Sequence, residues 1–85
     1  MIEVKLSKKQ FDFLNHGLKK DRTDLYNELE QTDRGQNVFV YFEDDVAHEL
    51  RGWAIEKIGL VGFDPKFNLT SEGLILQELI EAFSI

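Results

Sequence analysis

The sequence predicts a small α+β domain, with two strands and three helices in the order β-α-β-α-α and a two-stranded sheet covered by the helices. Three observations carry this expectation. Ile2, Val4 and Leu6 alternate with Glu3 and Lys5, the period of a half-buried strand. Val38, Phe39, Val40, Tyr41 and Phe42 form an unbroken β-branched and aromatic run. Around these runs, leucines recur at helical spacing and mark amphipathic stripes. The 85 residues are short enough to make one domain, 1–85, with a small core.

The elements follow in order. Ser7 with Gln10 forms Ser-x-x-Gln, a capping box that opens a helix directly after the first strand. Phe11, Leu14, Leu18, Leu25 and Leu29 continue it as one stripe, predicting a single bent helix from Lys8 to Glu30. A break in its polar midsection, with Thr23 as a fresh cap, is the alternative. Gly17 inside this helix costs about 1 kcal/mol relative to alanine. Thr32–Asn37 is polar, holds Gly35 and reads as a loop. Val38–Phe42 carries apolar groups at both parities, so it reads as a strand covered on both faces. A β-α-β crossover would set it parallel to the first strand.

Glu43, Asp44 and Asp45 then begin a helix, their charge matched to its dipole, with Asp as a favourable cap. Gly59 is expected to end that helix after Ile58 in the left-handed conformation. Gly59–Leu69 reads as a loop around Gly62 and Pro65, anchored by Phe63, Phe67 and Leu69. Thr70 caps the last helix, with Leu69 and Leu74 as a hydrophobic staple. Leu76, Leu79, Ile80 and Phe83 face inward there, and Glu72, Glu78 and Glu81 outward. Two strands leave open edges, to be covered either by the helices or by a second subunit in a homodimer.

Charge narrows the functional classes. Residues 1–22 carry six basic and three acidic side chains, whereas residues 23–85 carry four basic and thirteen acidic ones, for a net −6. An acidic surface attracts basic partners and repels nucleic acid and anionic lipid. No apolar run approaches the ~20 residues of a membrane span, and the N-terminus lacks a signal-peptide core. A cytoplasmic protein is expected. The absence of cysteine excludes disulfides and thiolate chemistry.

Five residues form the candidate binding set: Glu43, Asp44, Asp45, Glu49 and Trp53. The acids would meet a basic partner, and Trp53 reads either as an exposed anchor or as core. Asp45, His48 and Glu49 share a helix face and could hold a divalent metal, but acids at a helix start are ordinarily solvated. No catalytic residue, metal site or cofactor is expected. His16 and His48 lack a nucleophile in a recognisable elbow. Gly59-x-x-Gly62 follows a helix and lacks the ending of a phosphate loop. Lys8, Lys9, Lys19, Lys20 and Arg22 could give the first helix a basic face for nucleic acid, a reading that the acidic remainder disfavours.

The run from Val61 to Phe83, Val-Gly-Phe-Asp-Pro-Lys-Phe-Asn-Leu-Thr-Ser-Glu-Gly-Leu-Ile-Leu-Gln-Glu-Leu-Ile-Glu-Ala-Phe, resembles the ending of small proteins from phages and prophages of Gram-positive bacteria. Glu43-Asp44-Asp45 ahead of the preceding helix is similar too. The resemblance implies a phage accessory protein acting on a host or phage protein, and it carries no catalytic residues over. Together these readings predict a non-enzymatic protein-interaction module with an acidic surface. A self-assembling homo-oligomer and a nucleic-acid binder using the first helix are the alternatives.

Overall fold

Seven elements order the chain in the computed structural model, which describes residues 1–84. They are β1 (Ile2–Ser7), α1 (Lys8–Asp21), α2 (Thr23–Glu28), β2 (Glu30–Arg34), β3 (Asn37–Phe42), α3 (Asp44–Val61) and α4 (Ser71–Ala82). The α+β class is as expected. The sheet has three strands rather than two, in the order β1-β3-β2, and there are four helices rather than three.

The extra strand corrects the topology. Glu30–Arg34 forms a hairpin with β3 through Gly35 and Gln36, and Gly35 takes a positive φ of 81°. A two-residue connection led by glycine is a favoured hairpin link. That reversal turns β3 round, so it runs antiparallel to β1 instead of parallel.

The single helix from Lys8 to Glu30 is likewise replaced by two. Arg22 leaves the helical region at φ −142° and ψ 75°, and α2 restarts at Thr23. Arg22, not Thr23, holds the capping position. Its guanidinium grips both Asp24 oxygens at 3.0 and 2.9 Å and reaches Glu49 of α3 at 3.1 Å. The break lets α2 lie against α3 with Leu25 buried. The Ser7–Gln10 capping box forms as expected, with reciprocal bonds of 2.9 and 3.1 Å.

Side chains directly opposed in an antiparallel sheet share a face. On the inner face Val4, Leu6, Val38, Val40 and Phe42 are buried. They join Leu14 and Leu18 of α1, Leu50 and Ala54 of α3, and Leu76 and Leu79 of α4 in one core. Phe83 closes it edge-on to Phe42, with ring centroids 5.6 Å apart. On the outer face the register lines up Glu3, Tyr41 and Glu30, then Lys5, Phe39 and Thr32. Phe39 and Tyr41 are only half-buried there, so β3 is covered on one face and not both. The Arg34 guanidinium lies 5.1 Å from the Phe39 ring centre and supplies part of that cover.

α3 also runs further than Ile58. It continues through Gly59 to Val61, and Gly62 caps it in right-handed geometry, donating its N–H to the Ile58 carbonyl. No described helix is long and apolar enough to cross a membrane.

Candidate interaction surface

The sequence-predicted site residues do not form one surface. Glu43 is the capping residue of α3, and its side chain makes no capping bond. Its carbonyl accepts from Val46 and Ala47 at 3.0 and 3.2 Å, so Glu43, Asp44 and Asp45 act on the helix start through charge alone. All three are exposed. Glu49 is paired with Arg22, a guanidinium it shares with Asp24, so its charge is only partly offset. The Asp24 carboxyl, held by the same guanidinium, sits below the usual carboxylate range.

Trp53 is core. It is 6% exposed, its ring lies against Gly17 of α1, and its Nε1 donates to Asp21 Oδ2 at 3.1 Å. The exposed-anchor reading is corrected for a simple reason. A small domain has few large side chains, and the gap at Gly17 lets an indole bridge two helices. Lys57 joins the same carboxylate at 2.8 Å, and these bonds hold the Asp21 pKa below its ordinary value.

Titratable groups stay at the surface. Among the described residues the core contains no polar or charged side chain, and no three His, Asp or Glu side chains converge as metal ligands. Asp45, His48 and Glu49 therefore stand as separate surface groups. The basic face of α1 is also divided. Lys8 pairs with Asp33 at 3.3 Å and Arg22 with Asp24 and Glu49, while Lys9 and Lys20 rim a groove floored by Phe13 and Ile75.

The unusual surface is the connection between α3 and α4. Phe63, Phe67 and Leu69, expected to anchor this loop by burial, point outward instead. Phe67 is 86% exposed, and Leu60 before the loop is 75% exposed. Leu74, on the first turns of α4, is exposed as well, so the expected staple with Leu69 is left half in solvent.

Polar bonds hold the loop where apolar burial was expected. Phe63 and Leu69 form a β-bridge. Asp64 N–H donates to the Asn68 carbonyl, and Phe67 N–H donates to the Asp64 carbonyl, each at 2.9 Å. The Asp64 carboxylate accepts from the amides of Lys66 and Asn68 at 2.9 Å. Those amides hold its pKa below the ordinary carboxylate value. Thr70 then caps α4 by accepting from Gly73 N–H at 3.0 Å, and its hydroxyl donates to the Val61 carbonyl at 3.0 Å.

Asp64-Pro65-Lys66-Phe67 is thus a tight turn with proline at its second position, closed by a residue in left-handed conformation. Such three-residue hairpin loops normally place glycine there. Here Phe67 takes it, at φ 65°. A left-handed non-glycine residue costs roughly 1–2 kcal/mol. The turn imposes that conformation, and the ring gains no burial in return. The result is a projection held by its own backbone bonds and tipped with an aromatic side chain. Sequence reasoning missed it because the same Gly-Phe-Asp-Pro-Lys-Phe pattern fits a loop folded inward.

Comparison with known proteins finds no matching family model, no matching curated protein and no matching solved structure.

Proposed function

We propose that the chain is a non-enzymatic protein-interaction module that engages its partner through the α3–α4 tip, with Phe67 as the inserted anchor. The partner is a protein, of host or phage in the setting that the C-terminal half suggests, with an apolar pocket rimmed by basic side chains. One observation carries the reading: a fully projected aromatic ring held in a strained backbone conformation that glycine would adopt freely. The bonds within the turn fix the backbone beneath the ring, which lowers the ordering cost of association, and exposed aromatic side chains are characteristic binding anchors.

Acidic residues supply the second element of recognition. Glu56, Asp64 and Glu72 lie on or beside the segments that build the tip, together with Lys57 and Lys66, within the acidic part of the chain. Glu43, Asp44 and Asp45 add an exposed cluster at the opposite end of α3. Their role is to steer a basic partner rather than to anchor it, which affects association rate more than final affinity.

Phe67→Gly separates function from folding. It removes the ring but suits the turn, so the fold retains its thermal stability while partner binding falls by more than about tenfold. The assay is capture from lysate, identification of the bound protein, and titration of that purified protein against parent and variant. Partner affinity unchanged by Phe67→Gly would overturn the assignment of the tip. A triple Glu43→Gln, Asp44→Asn, Asp45→Asn variant should slow association and reduce its salt dependence, leaving dissociation nearly as it was.

A further inference from the structure

The two edges of the sheet are built differently. β2 is exposed and polar along its whole length. Its Asp33 opposes Val38, which places a charge on the inner face, where an added strand would need an apolar residue. Asp33 is also held by Lys8 at 3.3 Å and by the Gly35 amide at 3.0 Å. An inward charge is a recognised guard against further strand addition.

β1 has no such guard. Its six residues pair with β3 without a bulge, and it contains no proline. Ile2, Val4 and Leu6 lie on the inner face, while Glu3 and Lys5 lie on the outer face opposite Tyr41 and Phe39. Among the described residues β1 pairs with β3 alone.

We propose that β1 pairs antiparallel with β1 of a second copy, centred on Val4, joining two three-stranded sheets into one of six strands. The register follows by elimination. A one-residue slip would set inner-face residues of one copy against outer-face residues of the other. Matching faces leaves three central registers, in which Glu3, Val4 or Lys5 faces itself. Centring on Glu3 opposes two carboxylates, and centring on Lys5 opposes two ammonium groups; like charges directly opposite are destabilising. Centring on Val4 sets Glu3 against Lys5 of the second copy, twice by symmetry, and Ile2 against Leu6. The contact is self-complementary, as a two-fold dimer requires.

Sedimentation equilibrium on the full chain, up to millimolar protein, tests this. The parent should dimerise. Lys5→Glu turns both complementary pairs into acidic pairs and should weaken the dimer by at least about tenfold. Glu3→Lys makes both pairs basic and should do the same. An equimolar mixture of the two variants restores complementarity and should form a heterodimer at parent-like concentration, as should the double reversal Glu3→Lys/Lys5→Glu with itself. Circular dichroism confirms that each variant is folded. A parent that stays monomeric throughout, a Lys5→Glu variant that dimerises like the parent, or folded variants that fail to associate when mixed would each overturn the proposal.

Discussion

Replacing Gly17 with alanine should destabilise the fold, although helix propensity alone says the opposite. Alanine is favoured over glycine in a helix interior by about 1 kcal/mol. An added Cβ at Gly17 would lie 2.5 Å from Trp53 Cζ2 and 2.8 Å from Cη2, inside the range that real contacts avoid. The obstructing group is a buried ring, tied by its Nε1 to Asp21. It cannot move aside as the end of a lysine could. Overpacking a core in this way costs about 1–3 kcal/mol, and loosening the indole–carboxylate bond adds to that cost. The net expectation is a loss of about 1–2 kcal/mol, a fall in melting temperature of roughly 4–16 °C for a domain of this size. Trp53 is the only tryptophan, so its fluorescence follows both the local displacement and unfolding. Gly52→Ala is the control: an added Cβ there meets nothing within 4 Å, so the same substitution should stabilise by about 0.5–1 kcal/mol. A melting temperature for Gly17→Ala at or above the parent's would refute the reasoning.

Other expectations concern the α3–α4 connection. Gly73→Ala should destabilise more than Gly17→Ala, because its Cβ would meet the Gly62 backbone carbonyl, which is bonded to Thr70 N–H and cannot rotate away; the urea midpoint reads this. Thr70→Ala removes the cap on Gly73 and the hydroxyl bond to Val61, for a loss of about 1–2 kcal/mol by the same measurement. The Asp64 carboxyl has a lowered pKa in the folded chain, so its contribution is present above the unfolded value near 4 and disappears as pH falls through the folded value. The Lys66 and Asn68 amide resonances should therefore move together below pH ~4, and in Asp64→Asn that movement should be lost. Asp21 follows the same sign through Lys57 and Trp53, so Trp53 fluorescence should respond to acid before the chain unfolds.

Local rules were legible wherever one residue type has one strong use. Ser7 with Gln10, Thr70 before α4, and the alternation of Ile2, Val4 and Leu6 all identify structure from a few residues. β2 was hidden because Glu-Gln-Thr-Asp-Arg has no apolar face, and its only sign was the Gly35-Gln36 pair ahead of β3. Missing one strand also reversed the direction of its neighbour, since each hairpin turns the chain round. The break at Arg22 was hidden for another reason. Leu18 and Leu25 keep helical spacing across it, and the groups holding Arg22 include Glu49, twenty-seven residues away. The candidate site was less legible still. The acids were found on the surface, but Trp53, which the sequence left open between anchor and core, is buried, and Phe67, expected to anchor its loop, is exposed. Apolar character alone does not distinguish a side chain that fills a core from one that serves as an anchor.

The sheet register sets an order of assembly. β2 and β3 pair residues separated by three to eleven positions, so their hairpin needs only a short closure and can form in microseconds. β1 meets β3 across thirty to forty positions, after α1 and α2 have taken up the intervening chain. On a ribosome, β1 emerges first and waits for its neighbour, which is complete only at Phe42. Truncating Val4 should therefore speed unfolding and leave the folding rate almost unchanged, whereas truncating Val40 should slow folding. Of these three strands, the first to be synthesised is the last to be placed, and its pairing edge stays open throughout that wait.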